Sequence, residues 1–326
     1  MYDIYGNQLT TAYNINGEEI SLMYDIDGNI VGEITPILLS DIPTYFQNDV
    51  TNALNYVDEL GIDYAHYIVV TDTHYSANYG NSPVICNYLY GTGKFDKMIH
   101  LGDFLEAGEV NSDNWNAMIE ADFCHYKKWL MTQGNHDSGI YPFSLATPYF
   151  ETKEVNYVTD ALKNGFYYDN SKHKIRFIGL HHMLHSNSRI RAEIESFISS
   201  MPSGYKWCII NHYPMLVNDE WGRASCMNES AETWIKTLID TYPNFIGIFS
   251  GHMHLDEYDI VSTGAKEFHH MTLDADFKRN GVSGTNEEQV ITIISINPTT
   301  ENVKFYRIGR SAVYETKQWE YTGFTT

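Results

Sequence analysis

The sequence contains few basic residues for its length. Its 326 residues include 21 Lys and Arg against 42 Asp and Glu, which gives a formal net charge of −21. Because a surface this acidic repels a phosphate backbone, we expect no sequence-independent binding to nucleic acid. The charge does not exclude a small anionic substrate, since bound metal ions reverse the charge of a site locally.

Cysteine and long apolar runs are also scarce. The four cysteines form no Cys-x-x-Cys pair, so the sequence predicts neither a zinc ribbon nor a dithiol redox motif. No apolar run reaches the roughly 18 residues of a membrane-spanning helix. The first residues, 1–7, have neither the basic segment nor the apolar core of a signal peptide, so we expect a cytoplasmic protein with no membrane partner.

Residues 1–35 differ from the rest of the chain. The pattern Tyr-x-Ile-x-Gly begins at Tyr2, Tyr13 and Tyr24, which are spaced 11 residues apart. Each unit places β-favouring residues before a turn, so the segment is predicted to be a small β appendage on a main domain of 36–326. Three short strands bury little surface, and the appendage is either a plain β extension or a module for self-association or attachment.

From residue 36 onward, the pattern changes to alternating strands and helices. Helical spacing of apolar residues predicts helices over 49–60, 112–128, 189–201 and 229–241. Short apolar runs predict buried strands at 67–71, 97–101, 129–132, 175–179, 207–210 and 245–249. Two further runs, 290–296 and 303–308, flank a turn and predict an antiparallel hairpin. We therefore expect an α/β domain with mixed sheets.

Polar motifs follow five of the apolar runs. Ligands bind at the carboxyl ends of strands in open α/β sheets, so these motifs are expected to converge. They contain Asp, His and Asn side chains, which suit two ions of Mn, Fe or Zn. The motifs are Asp72-Thr-His74, Gly102-Asp103 with Glu106, Gly134-Asn135-His136-Asp137, His212, and Gly251-His252-Met-His254.

One carboxylate has to bridge two such ions. Asp103 is the best candidate, because Gly102 allows the backbone to approach closely. Asp-x-His and His-x-His are expected to be extended, so that alternate side chains face one centre.

In this order the motifs resemble the signature of the calcineurin-like metallophosphoesterases, a family of binuclear metallophosphatases, from about residue 64 to about residue 310. The resemblance implies a sandwich of two mixed β-sheets flanked by helices. It also implies two divalent or trivalent metal ions. The ligands implied for the first ion are Asp72, His74, Asp103 and His254, and those for the second are Asn135, His212, His252 and the shared Asp103.

The same resemblance implies two catalytic residues. His136 matches the histidine that contacts the phosphoryl group or the leaving oxygen without binding metal, and Asp137 would orient it. The implied reaction is hydrolysis of a phosphomonoester or phosphodiester by a hydroxide that bridges the two ions. Glu106 is followed by Ala107 and Gly108 rather than Arg, which disfavours the protein Ser/Thr phosphatase branch.

Two alternatives remain open at this point. One is a nuclease of the same family, which the acidic charge and the absence of a basic stripe disfavour. The other is a structural or attachment protein that retains the fold, although all seven ligand positions are filled. A small phosphate ester is the expected substrate.

Four further residues are candidates for contact with the substrate. Tyr75, Phe104 and Tyr213 adjoin predicted ligands and either line the pocket or pack in the core. His182 lies in the histidine-rich stretch 180–185, which is either a surface loop or a substrate contact.

Overall fold

The computed structural model describes residues 22–24, 30–33, 36–74, 80–105, 129–139, 155–157, 165–180, 188–215, 226–276, 284–311 and 316–325. The chain divides into two compact units, Met1–Leu38 and Leu39–Thr326. In the first unit, strands β1 (Leu22–Tyr24) and β2 (Ile30–Glu33) pair antiparallel. The first two predicted repeats lie outside the described residues, and so does Asp27-Gly28, where the turn of the third repeat is expected.

The second unit is built on two mixed β-sheets. Its strands in the described ranges are β3 (Ala65–Val70), β4 (Lys97–His100), β5 (Trp129–Met131), β6 (Val155–Tyr157), β7 (Gly165–Asn170), β8 (Ile175–Leu180), β9 (Lys206–Asn211), β10 (Phe245–Ser250), β11 (Glu257–Ser262), β12 (Glu267–Thr272), β13 (Val290–Asn297), β14 (Asn302–Gly309) and β15 (Gln318–Thr322). The first sheet has the order β15-β14-β13-β3-β4-β5, and the second has the order β11-β12-β10-β9-β8-β7-β6. The predicted pair of mixed sheets is confirmed.

Parallel pairing includes every strand that leads toward a motif. In the first sheet β3, β4 and β5 run parallel, and in the second sheet β8, β9, β10 and β12 do. The predicted hairpin is β13 and β14, which pair antiparallel from Val290–Gly309 to Asn297–Asn302. This arrangement sends the carboxyl ends of β3, β4, β5, β9 and β10 into loops that meet at one edge of the sandwich.

Helices cover the outer faces of both sheets. They are α1 (Thr44–Leu60), α2 (Ser82–Gly91), α3 (Ser188–Ser199) and α4 (Glu229–Thr241). In α1, Phe46, Val50, Ala53 and Val57 recur at helical spacing and are buried. One apolar core includes the buried faces of α1 and α2 with the first sheet, and another includes those of α3 and α4 with the second sheet. The predicted helix over 112–128 lies outside the described residues.

A third apolar layer fills the space between the sheets. Tyr67 and Phe305 contribute to it from the first sheet, and Phe177 and Phe249 from the second. The Tyr67 and Phe177 rings meet edge to face, with centroids 4.7 Å apart. The second unit is therefore a four-layer α/β/β/α sandwich. None of the helices in the described ranges is both long enough and apolar enough to cross a bilayer.

The core between the sheets should govern stability. Phe177 is 1% exposed in this layer, so we expect Phe177→Ala to lower the free energy of unfolding by about 3–5 kcal/mol. Urea denaturation followed by circular dichroism measures this loss. Ile62 is 78% exposed, and Ile62→Ala should change the same quantity by less than about 0.5 kcal/mol. Equal losses in the two variants would contradict this description of the core.

Candidate metal centre

The five motif loops meet at the carboxyl edge of the two sheets, and three of them contain ligands in strained backbone conformations. Five of the predicted ligands have positive φ angles, which are uncommon outside glycine: Asp72 (50°), His74 (41°), Asp103 (53°), His252 (73°) and His254 (54°). The expectation that Asp-x-His and His-x-His are extended is therefore wrong. Backbone strain of this kind persists only where the surrounding structure imposes it, and it concentrates at functional sites.

Hydrogen bonds tie the loops of the two sheets together. The Asp72 backbone N–H donates to the Gly102 carbonyl (2.9 Å), and the His74 N–H donates to the Asp103 carbonyl (3.0 Å). The Asp72 Oδ2 accepts from the Thr71 hydroxyl at 2.6 Å and from the His252 backbone N–H at 2.8 Å. Asp72 thus links the loop after β3 to the loop after β10 in the other sheet.

Glycines in the motifs make this close approach possible. A Cβ atom on Gly134 would lie 1.9 Å from Asp103 Oδ1, and one on Gly251 would lie 1.9 Å from Thr71 Oγ1. Gly102 has a φ of 103°, and a Cβ atom there would lie 2.7 Å from His212 Nδ1. The predicted need for glycine before Asp103 is therefore met in the structure, and two further motif glycines have a similar steric role.

The first set of predicted ligands surrounds one point. His254 Nε2 lies 3.2 Å from His74 Nε2 and 3.3 Å from Asp72 Oδ1. His74 Nε2 also lies 3.9 Å from Asp72 Oδ1 and 3.9 Å from Asp103 Oδ2. The donor atoms of Asp72, His74 and His254 all lie within 4.8 Å of one another.

The second set surrounds a neighbouring point. His212 Nε2 lies 3.0 Å from Asn135 Oδ1, 3.1 Å from His252 Nδ1 and 3.2 Å from Asp103 Oδ2. Asp72 Oδ1 is 3.9 Å from the same nitrogen. Asp72 and Asp103 therefore each face both sets, and Asp103 as the single bridging carboxylate stays a prediction.

The separations of 3.0–3.3 Å fit metal coordination. Two donors at about 2.0–2.2 Å from one ion, with ligand angles of 90–110°, are about 2.8–3.6 Å apart. Asp72 Oδ1 is buried and has no hydrogen bond within the described part of the chain, which leaves a carboxylate oxygen directed at the cluster. The residues present thus fit two ions that share carboxylate ligands.

The hydrogen bonding of His212 fixes the tautomer that a metal ligand needs. Its Nδ1 lies 2.9 Å from the Leu101 carbonyl, which can only accept, so Nδ1 carries a proton and Nε2 faces the cluster. Burial lowers the pKa of His212, but the Asp103 and Asp72 carboxylates outweigh it and raise this pKa to about 9 in the metal-free protein. Burial raises the pKa of Asp72, and the His212 and His254 rings lower it further than that, so this carboxyl is ionised.

The two predicted catalytic residues lie beside the first set. His136 begins a short 3-10 helix (His136–Gly139), its ring meets the His74 ring at 4.7 Å, and its Nε2 is 4.0 Å from Asp103 Oδ2. The His136 side chain is 27% exposed, so it is accessible from outside. The Asp137 carboxylate accepts from backbone N–H groups of four residues: Asp103 (2.8 Å), Phe104 (3.0 Å), Leu105 (3.3 Å) and Gly134 (2.9 Å).

These four contacts give Asp137 a role that the sequence did not suggest. The carboxylate shapes the loop that carries Asp103 and joins it to the loop that carries Asn135. The predicted role of Asp137, orienting the His136 ring, stays a prediction.

The predicted substrate contacts separate into three cases. Phe104 is 1% exposed and packs on His100 with ring centroids 4.0 Å apart, which favours the core alternative. Tyr213 is half-buried, and its ring lies 4.3 Å from that of His252, beside the second set. Tyr75 and His182 lie outside the described residues, as does Glu106.

Sequence reasoning missed His100, a supporting residue of the site. It is fully buried at the end of β4, where its Nδ1 accepts from the Gly102 N–H at 3.2 Å and its Nε2 lies 3.1 Å from the Thr73 hydroxyl. Burial lowers its pKa to about 3, so it remains neutral. A histidine inside a buried apolar run was the available signal.

A match to a solved structure supports the fold, and two weaker matches accompany it. A dimetal phosphatase from Danio rerio matches at TM-score 0.55 and 10% identity, covering 79% of this chain and 98% of that one. A putative 5'-nucleotidase from Staphylococcus aureus matches at TM-score 0.45 and 11% identity (79% and 53% covered), and vacuolar protein sorting 29 from Cryptosporidium parvum at 0.38 and 12% (80% and 99% covered). No curated protein matches the chain significantly.

Comparison with protein families gives a direct assignment. The family model described as calcineurin-like phosphoesterase matches residues 65–256. This segment begins with β3 and ends just after His254, so it contains all seven predicted ligands. Since the match spans more than half of the sequence, the chain belongs to the calcineurin-like phosphoesterase family.

Proposed function

We propose that the protein is a two-metal hydrolase of phosphate esters, with a small molecule as its substrate. The proposal rests on the two adjoining sets of donor atoms. His212 Nε2 lies 3.0–3.2 Å from donor atoms of three other residues, and His254 Nε2 lies 3.2–3.3 Å from donor atoms of two. Buried Asp72 and Asp103 lie between them. Two buried carboxylates surrounded by four histidines favour a metal-dependent enzyme over the structural alternative.

The proposed ligands divide between the two sheets. Asp72, His74, Asp103 and Asn135 follow strands of the first sheet, and His212, His252 and His254 follow strands of the second. Two bound ions of Mn, Fe or Zn would supply Lewis-acid stabilisation of phosphoryl oxygens and a more acidic water. The chain itself holds the donor atoms in place, through the Asp72 link between loops and the proton on His212 Nδ1.

His136 is the proposed proton donor. It is partly exposed, it lies beside Asp103 and His74, and its backbone N–H donates to Asp103 Oδ1 at 2.8 Å. An imidazolium in this position stabilises charge on the leaving oxygen or protonates it. Tyr213 offers an aromatic surface beside His252 against which part of a substrate can pack.

Activity should depend on bound metal. Protein freed of metal with a chelator should be inactive, and it should take up two ions per chain when Mn²⁺ is supplied. Turnover of p-nitrophenyl phosphate and bis-p-nitrophenyl phosphate then distinguishes a phosphomonoesterase from a phosphodiesterase. Absence of turnover on both esters with two ions bound would refute the proposed hydrolase.

His136 should be needed for turnover and not for metal binding. We expect His136→Ala to lower kcat by about 10²–10⁴-fold, the usual contribution of a positioned acid or base, while metal content stays at two ions. His173, at the amino end of β8, provides the control, since His173→Ala should leave kcat unchanged. Loss of metal from His136→Ala would contradict the assigned role.

Metal affinity should depend on pH through His212. Below its metal-free pKa of about 9, His212 carries a second proton that a metal at Nε2 must displace. Metal binding should therefore release protons at pH 7, and affinity should rise as the pH increases from 6 to 8. Calorimetric titrations in buffers of different ionisation enthalpy measure the released protons. An affinity independent of pH over this interval would be inconsistent with His212 as a ligand.

A further inference from the structure

A buried ion pair joins the two sheets behind the proposed metal site. Arg307, on β14 of the first sheet, donates from Nη2 to Asp256 Oδ1 at 2.5 Å. Asp256 follows the loop after β10 in the second sheet, two residues beyond His254. The two side chains are 0% and 1% exposed.

This pair is poorly explained as a source of stability. Removing two charges from water costs more than their attraction returns unless their remaining polar atoms are satisfied. Arg307 Nε, Arg307 Nη1 and Asp256 Oδ2 are buried without a hydrogen bond among the residues that the structure describes. Apolar side chains in the same space would stabilise the fold equally well, so the pair requires another explanation.

The ion pair anchors one end of the loop of residues 251–256, which carries His252 and His254. At its start, the Gly251 N–H donates to the His212 carbonyl (3.0 Å) and the His252 N–H donates to Asp72 Oδ2 (2.8 Å). At its end, Asp256 Oδ1 receives Arg307 and the Asp274 backbone N–H (3.2 Å). The loop is therefore fixed at both ends, and each end is bonded to residues of both sheets.

The positions of the two proposed ligands in this loop depend on different ends of it. His252 is fixed at the start by its own N–H. His254 has a positive φ of 54°, its side chain is 28% exposed, and it lies two residues from Asp256. A shift of Asp256 would therefore displace His254 more than His252.

We propose that Asp256 and Arg307 are positioning residues, which hold His254 against Asp72 and His74 by coupling its loop to β14. This inference rests on the proposed function, because it takes His254 as a ligand of the first ion. The pair is expected to affect the binding of only one of the two ions. Affinity for the ion of the first set depends on Arg307, whereas affinity for the ion of Asn135, His212 and His252 does not.

The double variant Asp256→Asn/Arg307→Met tests this role. It removes both charges, so no uncompensated charge remains buried, and its Tm should exceed that of Arg307→Met, in which Asp256 is left unpaired. Calorimetric titration of the metal-free protein with Mn²⁺ should still show weaker binding of one ion, by about 10–100-fold, the usual effect of losing a group that orients a ligand. The other ion should bind with the affinity that it has in the wild-type protein.

A second ion pair between the sheets serves as the control. Lys206 of β9 contacts Glu301, in the turn between β13 and β14, at 2.8 Å, at the end of β9 opposite to His212. Lys206→Met/Glu301→Gln also removes a link between the sheets, and both metal affinities should stay unchanged.

Three outcomes would overturn the inference. In the first, the double variant binds both ions with wild-type affinity, and the pair is then structural only. In the second, both affinities fall together in the double variant and in the control, which indicates general loosening. In the third, the wild-type protein binds no metal, and the proposed function fails together with the inference.

Discussion

The position of one sheet relative to the other is the constraint on which the site depends. Each sheet alone carries an incomplete set of donors, since Asp72 and Asp103 belong to the first sheet and the histidines 212, 252 and 254 to the second. The donor atoms are 3.0–3.9 Å apart, so a displacement of about an ångström between the sheets would separate them beyond the reach of one ion. The apolar layer of Tyr67, Phe177, Phe249 and Phe305 is close-packed and resists such a displacement.

Charge explains why the cluster favours a cation. Two buried carboxylates are costly without a partner, and in the metal-free chain a proton on His212 compensates part of their charge. A metal ion at the same place compensates more charge with better geometry. The net charge of −21 acts in the same direction, because an acidic protein raises the local concentration of cations.

The motifs made the family and the ligand-binding edge of the sheets predictable, because five of them in this order are specific although each one alone is weak. Exposed edge strands were not predictable. β11 carries polar residues and the exposed Ile260, and β15 also contains polar residues. Neither strand therefore forms an apolar run. Helix α2 was missed because six of its ten residues are buried, which removes the helical alternation of polar and apolar positions.

Side-chain roles were harder to predict than positions. The family resemblance implies that Asp137 orients His136, and it gives no hint that the carboxylate contacts the backbone of 103–105, more than 30 residues away. Arg307 gives no signal at all in the sequence, since a lone arginine in a strand is normally exposed. Contacts between elements distant in the chain depend on how the sheets pack, and no local pattern encodes that.

The division of donors along the chain has a consequence for biosynthesis. The donors from the first sheet are complete once residue 135 has been made, but the second sheet contributes nothing until residues 212–254 have followed. A growing chain therefore offers only a weak, acidic half-site to the metals of the cell. The proposed site would bind its ions only after the two sheets have docked, so metal loading would mark completed folding.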